Sequence, residues 1–471
     1  MSDDAGEPTR GTLPSKGRRR ITESLERKMT EPLSSENIKT KLERIAKLAK
    51  DAPEMAFRSL AHHIDINLLR EAYRRTRKDG AVGVDGRTSA QYAGDLERNL
   101  ESLLQRAKSG TYRPPPVRRV YIPKDRGKEM RPLGIPTFED KVLQRAVALL
   151  LEAVYEQDFL DCSYGFRPGR SAHQLLQDFW MALTRSAGGW VIEIDIQKYF
   201  DSIPHGRLTE ILRQRVVDGV LLRLIGKWIH AGVLERGVVT TPSAGTPQGG
   251  VISPLLANIF LHTVLDEWFE REVKPRLVGQ ARLFRYADDA VLLFAKEKDA
   301  TRVLAALSKR FERFGLALHP EKTRQLVFRR PDIASERPGT FDFLGFTHFW
   351  AKSRSGKWLV HRRTAKDRFR RALSRIEAYC KRHRHDSLRE QQHVLARMLT
   401  GHYAYFGITN NAQALVRLHA EAESAWRKWL NRRSQRARMN WKRFARAKKR
   451  FPLPRARVVH SFSRSISKPV T

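Results

Sequence analysis

The string Leu283-Phe284-Arg285-Tyr286-Ala287-Asp288-Asp289-Ala290-Val291-Leu292-Leu293-Phe294 limits the fold more than any other part of the chain. It sets two adjacent carboxylates between two arms apolar enough to be buried strands. Taken alone, the pair fits a solvated hairpin turn, because Asp is at home in turns. A second acidic cluster changes the reading. Asp195 ends the apolar run Val191 to Ile194 and opens into Ile196-Gln197-Lys198-Tyr199-Phe200-Asp201. By itself Asp195 fits a helix cap or turn as well as a metal ligand. Together the clusters suit in-line displacement at phosphorus, where two Mg²⁺ ions about 3.5–4 Å apart stabilise the attacking and leaving oxygens. Hard cations of that kind draw carboxylates from different strands, and Asp195, Asp288 and Asp289 supply them.

Charge points to the partner. The 471 residues carry 89 Lys and Arg against 51 Asp and Glu, a formal net charge of +38, and a surface that positive condenses on a polyanion. Hydrophobic residues make up 41%, enough for real cores, and the length suggests two to four domains. No apolar run is long enough to span a bilayer and no secretory leader is evident, so a cytosolic location is expected. Cys162 and Cys380, the two cysteines, exclude a disulfide framework or a paired-cysteine zinc module and are read as reduced thiols.

Along the chain, residues 1 to about 50 read as a polar tail in which Ile38, Leu42, Ile45 and Leu48 have helical spacing, a segment that docks on RNA or on the protein body. Helical stretches flank the glycine-rich turn Gly80 to Gly86. A hairpin is expected from Val117 to Pro123 and Met130 to Ile135, turning at Asp125-Arg126-Gly127. Helices follow over Phe138 to Phe159 and Ser171 to Thr184, then a strand over Gly189 to Ile196. Further helices start near His205 and run from about Pro254 to Val273. After about Lys352 strand signals become sparse and basic helical patterns take over, with no acidic residue beyond Glu423.

These motifs resemble, in order over roughly residues 55 to 460, the reverse transcriptase and maturase proteins encoded by bacterial group II introns. Tyr286-Ala287-Asp288-Asp289 resembles the palm motif, and Asp195 to Phe200 the motif before it. Ala244-Gly245-Thr246-Pro247-Gln248-Gly249-Gly250-Val251-Ile252-Ser253-Pro254 is the most specific string, with glycines that permit close backbone approach. The resemblance implies Asp195, Asp288 and Asp289 as catalytic, with Asp195, Ile196, Asp288 and Asp289 holding two Mg²⁺ ions. It assigns nucleotide binding to Lys124, Arg131, Phe200, Gln248 and Lys322, with Phe200 as the gate against a 2′-hydroxyl and the two hairpin cations on the triphosphate. Ser163 to Ser171 resembles a block near the template, Leu316 to Thr323 the block after the palm acids, and Phe343-Leu344-Gly345-Phe346 the last palm strand.

The implied fold class is α+β, a right-hand polymerase with fingers, a palm with an antiparallel sheet and a helical thumb, followed by a basic α-helical C-terminal region. The expected divisions are a largely disordered basic tail with one candidate helix over 1–54, fingers with their N-terminal extension over 55–188, and the palm over 189–350. A thumb and maturase domain follows over 351–430, then a short basic DNA-binding tail over 431–471. Gly401 to Gly407 resembles the maturase signature, whose aromatics suit either stacking on unpaired bases or a core. Residues 426 to 460, with Trp426, Trp429 and Trp441, resemble a DNA-binding stretch. Many relatives carry a His-Asn-His nuclease domain with paired cysteines, and a form without it is expected here, nicking being absent or supplied otherwise. The implied partners are group II intron RNA, a DNA target or primer and dNTPs, without a membrane and with the oligomeric state open. The implied location is the bacterial cytoplasm, associated with the nucleoid. A relative diverted to antiviral defence or CRISPR spacer acquisition, and a splicing-only RNA-binding maturase, remain as rivals.

Overall fold

The computed structural model describes residues 38–123, 130–241, 244–246, 249–332, 339–353, 355–434, 436 and 438–461. Lys124, Gln248, the Asp125-Arg126-Gly127 turn and the ends 1–37 and 462–471 lie outside the described residues. Helices and three sheets alternate, and antiparallel pairing dominates.

The central sheet is antiparallel, in the order β6 (Ala281–Tyr286), β7 (Asp289–Phe294), β3 (Gly188–Ile194), β8 (Arg324–Arg329). Its inner strands read as near-continuous apolar runs because both faces are covered. Trp190, Ile192, Ile194, Leu283, Leu292 and Phe294 pack into the large core that also holds Leu255, Ile259, Val303, Leu307 and Phe311. The opposite face, Val191, Phe284, Val291, Leu293 and Phe328, packs with Leu175, Phe179 and Leu183 and with Phe341, Phe343, Trp350 and Val360. Side chains alternate along a strand, so Asp195 and Asp289 fall on the second face.

A second, mixed sheet runs β2 (Met130–Ile135), β1 (Val117–Pro123), β4 (Val233–Glu235), β5 (Val238–Thr240), with β1 and β4 parallel. Its β1–β2 hairpin has the expected bounds. In the chain between β2 and β3 comes helix Phe138–Tyr155, apolar on nearly every side, capped by Thr137 whose hydroxyl accepts from the Asp140 amide. Helix Ser253–Leu261 continues as a wider π-turned helix over His262–Val273, two geometries where one helix was expected.

The third sheet corrects the expectations most. β9 (Thr340–Phe343), β10 (Phe346–Lys352) and β11 (Trp358–Thr364) form an antiparallel meander across residue 350, where a helical region was to begin. β11 was missed because its arginines read as surface cations. Arg362 is instead fully buried, donating to the Leu176 carbonyl at 3.0 Å with its guanidinium 5.7 Å from the Trp180 ring centre. Phe343-Leu344-Gly345-Phe346 spans the corner of a hairpin, with Phe343 closing β9 and Phe346 opening β10. Leu344 and Gly345 take φ of 48° and 79°, the left-handed pair of a tight two-residue turn.

Beyond it come helices Lys366–Arg382, Leu388–Phe406, Ala412–Asn431 and Trp441–Arg450. In the maturase-like string Tyr403 is core, Tyr405 donates to the Leu344 carbonyl at 2.9 Å, and Phe406 packs on Phe346 at 5.2 Å. These aromatics join the helical region to the sheets. Trp426 is buried as well, while Trp441 is exposed.

The helix over 38–51 docks on the protein body. Ile38, Ile45 and Ala49 are buried in the large core, whereas Leu48 faces out. Arg215 holds its C-terminal end, donating to the carbonyls of Ala49 at 3.1 Å, Ala52 at 3.1 Å and Met55 at 2.6 Å while paired to Asp158 at 2.8 Å. Arg215→Ala removes the donor that Asp158 and the Ala49 and Met55 carbonyls share, while the Ala52 carbonyl keeps the Met55 amide. We expect it to cost about 3 kcal/mol in urea unfolding and to speed proteolysis between residues 38 and 55.

Candidate active site

Register brings the two acidic clusters together. Across β3 and β7 Ile194 pairs with Ala290, so the next residue, Asp195, stands level with Asp289 on the same face. Tyr286 pairs with Asp289 across β6 and β7, leaving Ala287 and Asp288 as a two-residue turn in which Ala287 takes φ of 57°.

The loop after β3 is laced to the block Leu316 to Thr323. The His319 amide donates to the Asp195 carbonyl at 2.8 Å, and the Thr323 hydroxyl lies 3.2 Å from both the Asp195 amide and its carbonyl. Lys322 Nζ reaches Asp195 Oδ2 at 3.4 Å. Ile196 is buried and bridges to Leu318, so only its carbonyl is free to act as a ligand atom. Phe200 is half-buried beside Tyr199, and its carbonyl accepts from the Thr246 amide at 2.7 Å. This seats Gly245 and Thr246 on the motif that carries Asp195. Gly245, at φ of 95°, lies so close that an added Cβ would meet the Phe200 carbonyl at 2.9 Å.

Charge accumulates where the strands meet. Burial first, then the charge of Asp195, raises the Asp288 carboxyl, while Arg131 pulls it back. Asp289 reaches solvent at the rim, yet the protein crowded around it and the charges of Asp288 and Asp195 push its carboxyl up to about 6. Arg368 and Arg131 act in the opposite sense. Arg131, singled out in the sequence, therefore stands close enough to act on both acids. Arg368 was not foreseen. Among the described residues no three His, Cys, Asp or Glu side chains converge closely enough to hold a metal ion, and Asp195 is engaged by Lys322 instead. The crowded carboxylates form a donor set suited to divalent cations, provided Lys322 gives way.

The sequence reading also passed over Arg285, inside an apolar strand. It is fully buried, donating to Asp266 at 2.7 and 2.5 Å, to Asn258 Oδ1 at 2.9 Å, to Ser163 Oγ at 2.7 Å and to the Ala287 carbonyl at 3.0 Å. Burial alone would raise the Asp266 carboxyl, but Arg285 and His262 together outweigh it and hold Asp266 below its ordinary range. One charge in the middle of an apolar run was the available signal, since it must find a partner.

Residues 122–348 match the family model described as reverse transcriptase (RNA-dependent DNA polymerase). The chain is 39% identical over 253 residues to group II intron-encoded protein LtrA of Lactococcus lactis subsp. cremoris, covering 51% of this chain and 41% of LtrA. It is 42% identical over 207 residues to protein YkfC of Escherichia coli K12, covering 43% of this chain and 53% of YkfC. An uncharacterized 91 kDa protein in the cob intron of Schizosaccharomyces pombe is 35% identical over 246 residues, 50% of this chain and 29% of that protein. The chain thus spans about half or less of the length of these relatives. The resemblance read from the motifs is supported over residues 122–348, the span of the family model.

Two outcomes follow. A carboxyl raised from 3.8 to about 6 gains a proton on folding between those values, so its charge costs stability above pH 6 and nothing below about 4. In metal-free buffer Asp289→Asn should melt above the unaltered protein at pH 8. The advantage should shrink as pH falls from 6 towards 4, and an advantage independent of pH would contradict the assignment. Arg285→Met strands Asp266 and should cost about 3–5 kcal/mol in denaturant unfolding, with Arg285→Met/Asp266→Leu recovering much of it.

Proposed function

We propose, on the premise that residues 122–348 are a reverse transcriptase domain, that the chain is an RNA-directed DNA polymerase that also binds a group II intron RNA and promotes its splicing and mobility. The observation that carries this reading is the meeting of Asp195 with Asp289 across β3 and β7, with Asp288 in the adjoining turn. The flanking cations Arg131, Lys322 and Arg368 support it.

In this reading the β6–β7–β3–β8 sheet is the palm, the β1–β2 hairpin belongs to the fingers, and the helices from Lys366 onward form the thumb and the maturase region. Asp195, the Ile196 carbonyl, Asp288 and Asp289 would hold two Mg²⁺ ions, which supply charge stabilisation to the attacking and leaving oxygens. Lys322, now paired with Asp195 at 3.4 Å, would have to release it for Asp195 to serve as a ligand, and would then face the nucleotide. Arg131, with Lys124, takes the triphosphate, where a guanidinium offers paired donors. Phe200 crowds the sugar edge and so disfavours a 2′-hydroxyl, and Gln248 contacts the incoming nucleotide. The basic C-terminal helices bind intron RNA and target DNA through phosphates. The charge of +38 suits a cytoplasmic protein associated with the nucleoid.

A DNA primer on an RNA template, supplied with dNTPs and Mg²⁺, tests this. The unaltered protein should extend the primer. Asp288→Asn should lower the rate by roughly a thousandfold or more, the loss of several kcal/mol of charge stabilisation, with RNA affinity unchanged. Full extension by Asp288→Asn would sink the polymerase reading, and single-turnover splicing by the same variant separates the maturase role from synthesis.

A further inference from the structure

Around the catalytic turn one apolar side chain is exposed where its charged neighbour is buried. Arg167 is buried, donating to the carbonyls of Leu160 and Ser163 at 2.9 Å each and pairing with Glu156 at 3.1 Å. Phe166, the preceding residue, is 55% exposed. Its φ is 56°, a left-handed conformation that a bulky side chain rarely takes and that persists only when the surroundings impose it.

The surroundings do impose it. The Tyr164 amide donates to the Arg285 carbonyl at 2.9 Å, and the Arg285 amide to the Cys162 carbonyl at 2.8 Å. Asn258 Nδ2 donates to the Gly165 carbonyl at 2.6 Å. Gly165 presses on the turn itself, since an added Cβ would come within 2.3 Å of the Ala287 nitrogen. Gly165 and Arg167 are thus fixed on either side, and the ring between them is turned outward. It stands 6.4 Å, centre to centre, from the Tyr286 ring, which immediately precedes Ala287 and the acids.

We propose that the Phe166 ring is a stacking platform for a nucleobase of the primer–template held against the catalytic turn. This rests on the polymerase reading and adds to it a substrate-contact residue. An aromatic face accepts any base, so the contact positions a strand without reading its sequence. Because Arg285 bonds to the Ala287 carbonyl and to Ser163 at once, the platform and the turn form one unit. A base resting on Phe166 is therefore referenced to Asp288 and Asp289 by the same side chain.

The test uses the full chain with a DNA primer annealed to an RNA template and no dNTPs, so that binding is read without chemistry. Affinity is measured by fluorescence anisotropy for the unaltered protein and for Phe166→Ala, Phe166→Gly and Phe166→Trp. Alanine and glycine should each weaken binding on the order of tenfold, as loss of one stacked base does, and tryptophan should restore it. Glycine relieves the left-handed strain that alanine retains, so Phe166→Gly should melt no lower than Phe166→Ala. An affinity loss shared by both is then not a folding defect. 5-Iodouracil placed in the terminal primer residues or in the paired template should photocrosslink to Phe166, and the strand that crosslinks identifies the base. Unchanged affinity in Phe166→Ala, a loss that tryptophan fails to restore, or no crosslink to residue 166 from either strand would overturn the proposal. Failure of the unaltered protein to extend a primer when dNTPs are added would instead sink the polymerase reading.

Discussion

The buried pair between Arg285 and Asp266 is the interaction on which the site depends. A guanidinium without access to water is tolerable only when its donors are satisfied, and here a carboxylate, an amide oxygen, a hydroxyl and a main-chain carbonyl share them. Those acceptors come from separate parts of the chain: the π-turned helix, the helix before it, the segment before Phe166, and the Ala287-Asp288 turn. Each must be in place for the charge to be buried at all. The pair therefore acts less as a source of stability than as a condition that only one arrangement of these segments meets. Ala287 takes its unfavourable φ inside that arrangement.

Outside this knot the site is governed by like charges. Asp195 and Asp289 share a face at the end of the central sheet with Asp288 in the adjoining turn, and burial together with the neighbouring carboxylate charges raises the Asp288 and Asp289 carboxyls. Arg131 approaches from the second sheet, Lys322 from the loop after the helix Glu297–Arg313, and Arg368 from the first helix beyond β11. Cations from three regions thus converge on one acidic centre, in a chain whose overall charge is strongly positive. An acidic centre ringed by cations in this way concentrates both signs of charge within one small region of the surface.

The joint between the sheets and the C-terminal helices is aromatic. Tyr405 and Phe406 close on the Leu344-Gly345 turn, the His173 and His460 rings stack at 3.7 Å, and Asn411 bonds to both the amide and the hydroxyl of Thr364. Of the two roles the Gly401 to Gly407 aromatics could have served, packing is the one the fold uses for Tyr403, Tyr405 and Phe406. The aromatic ring left outward beside the acidic turn is instead that of Phe166.

Local pattern alone determined the two acidic clusters, the β1–β2 hairpin, the apolar strands of the central sheet and most helices, because hydrophobic period and turn chemistry are properties of neighbouring residues. It could not tell a buried cation from a solvated one. Arg285 and Arg362 look like any of the other basic residues, and β11 was missed for that reason. Nor could it separate a strand from a hairpin corner at Leu344-Gly345, or a docked helix over 38–51 from a mobile one. Those outcomes depend on partners far away in sequence: Asp266 and Ser163 for Arg285, the Leu176 carbonyl for Arg362, Arg215 and Asp158 for the N-terminal helix. The residue types of the site were legible because an apolar run that ends in acids is visible in the local pattern. Their meeting on one face, and the exposure of Phe166 beside them, were decided only by tertiary pairing, which sets register and burial.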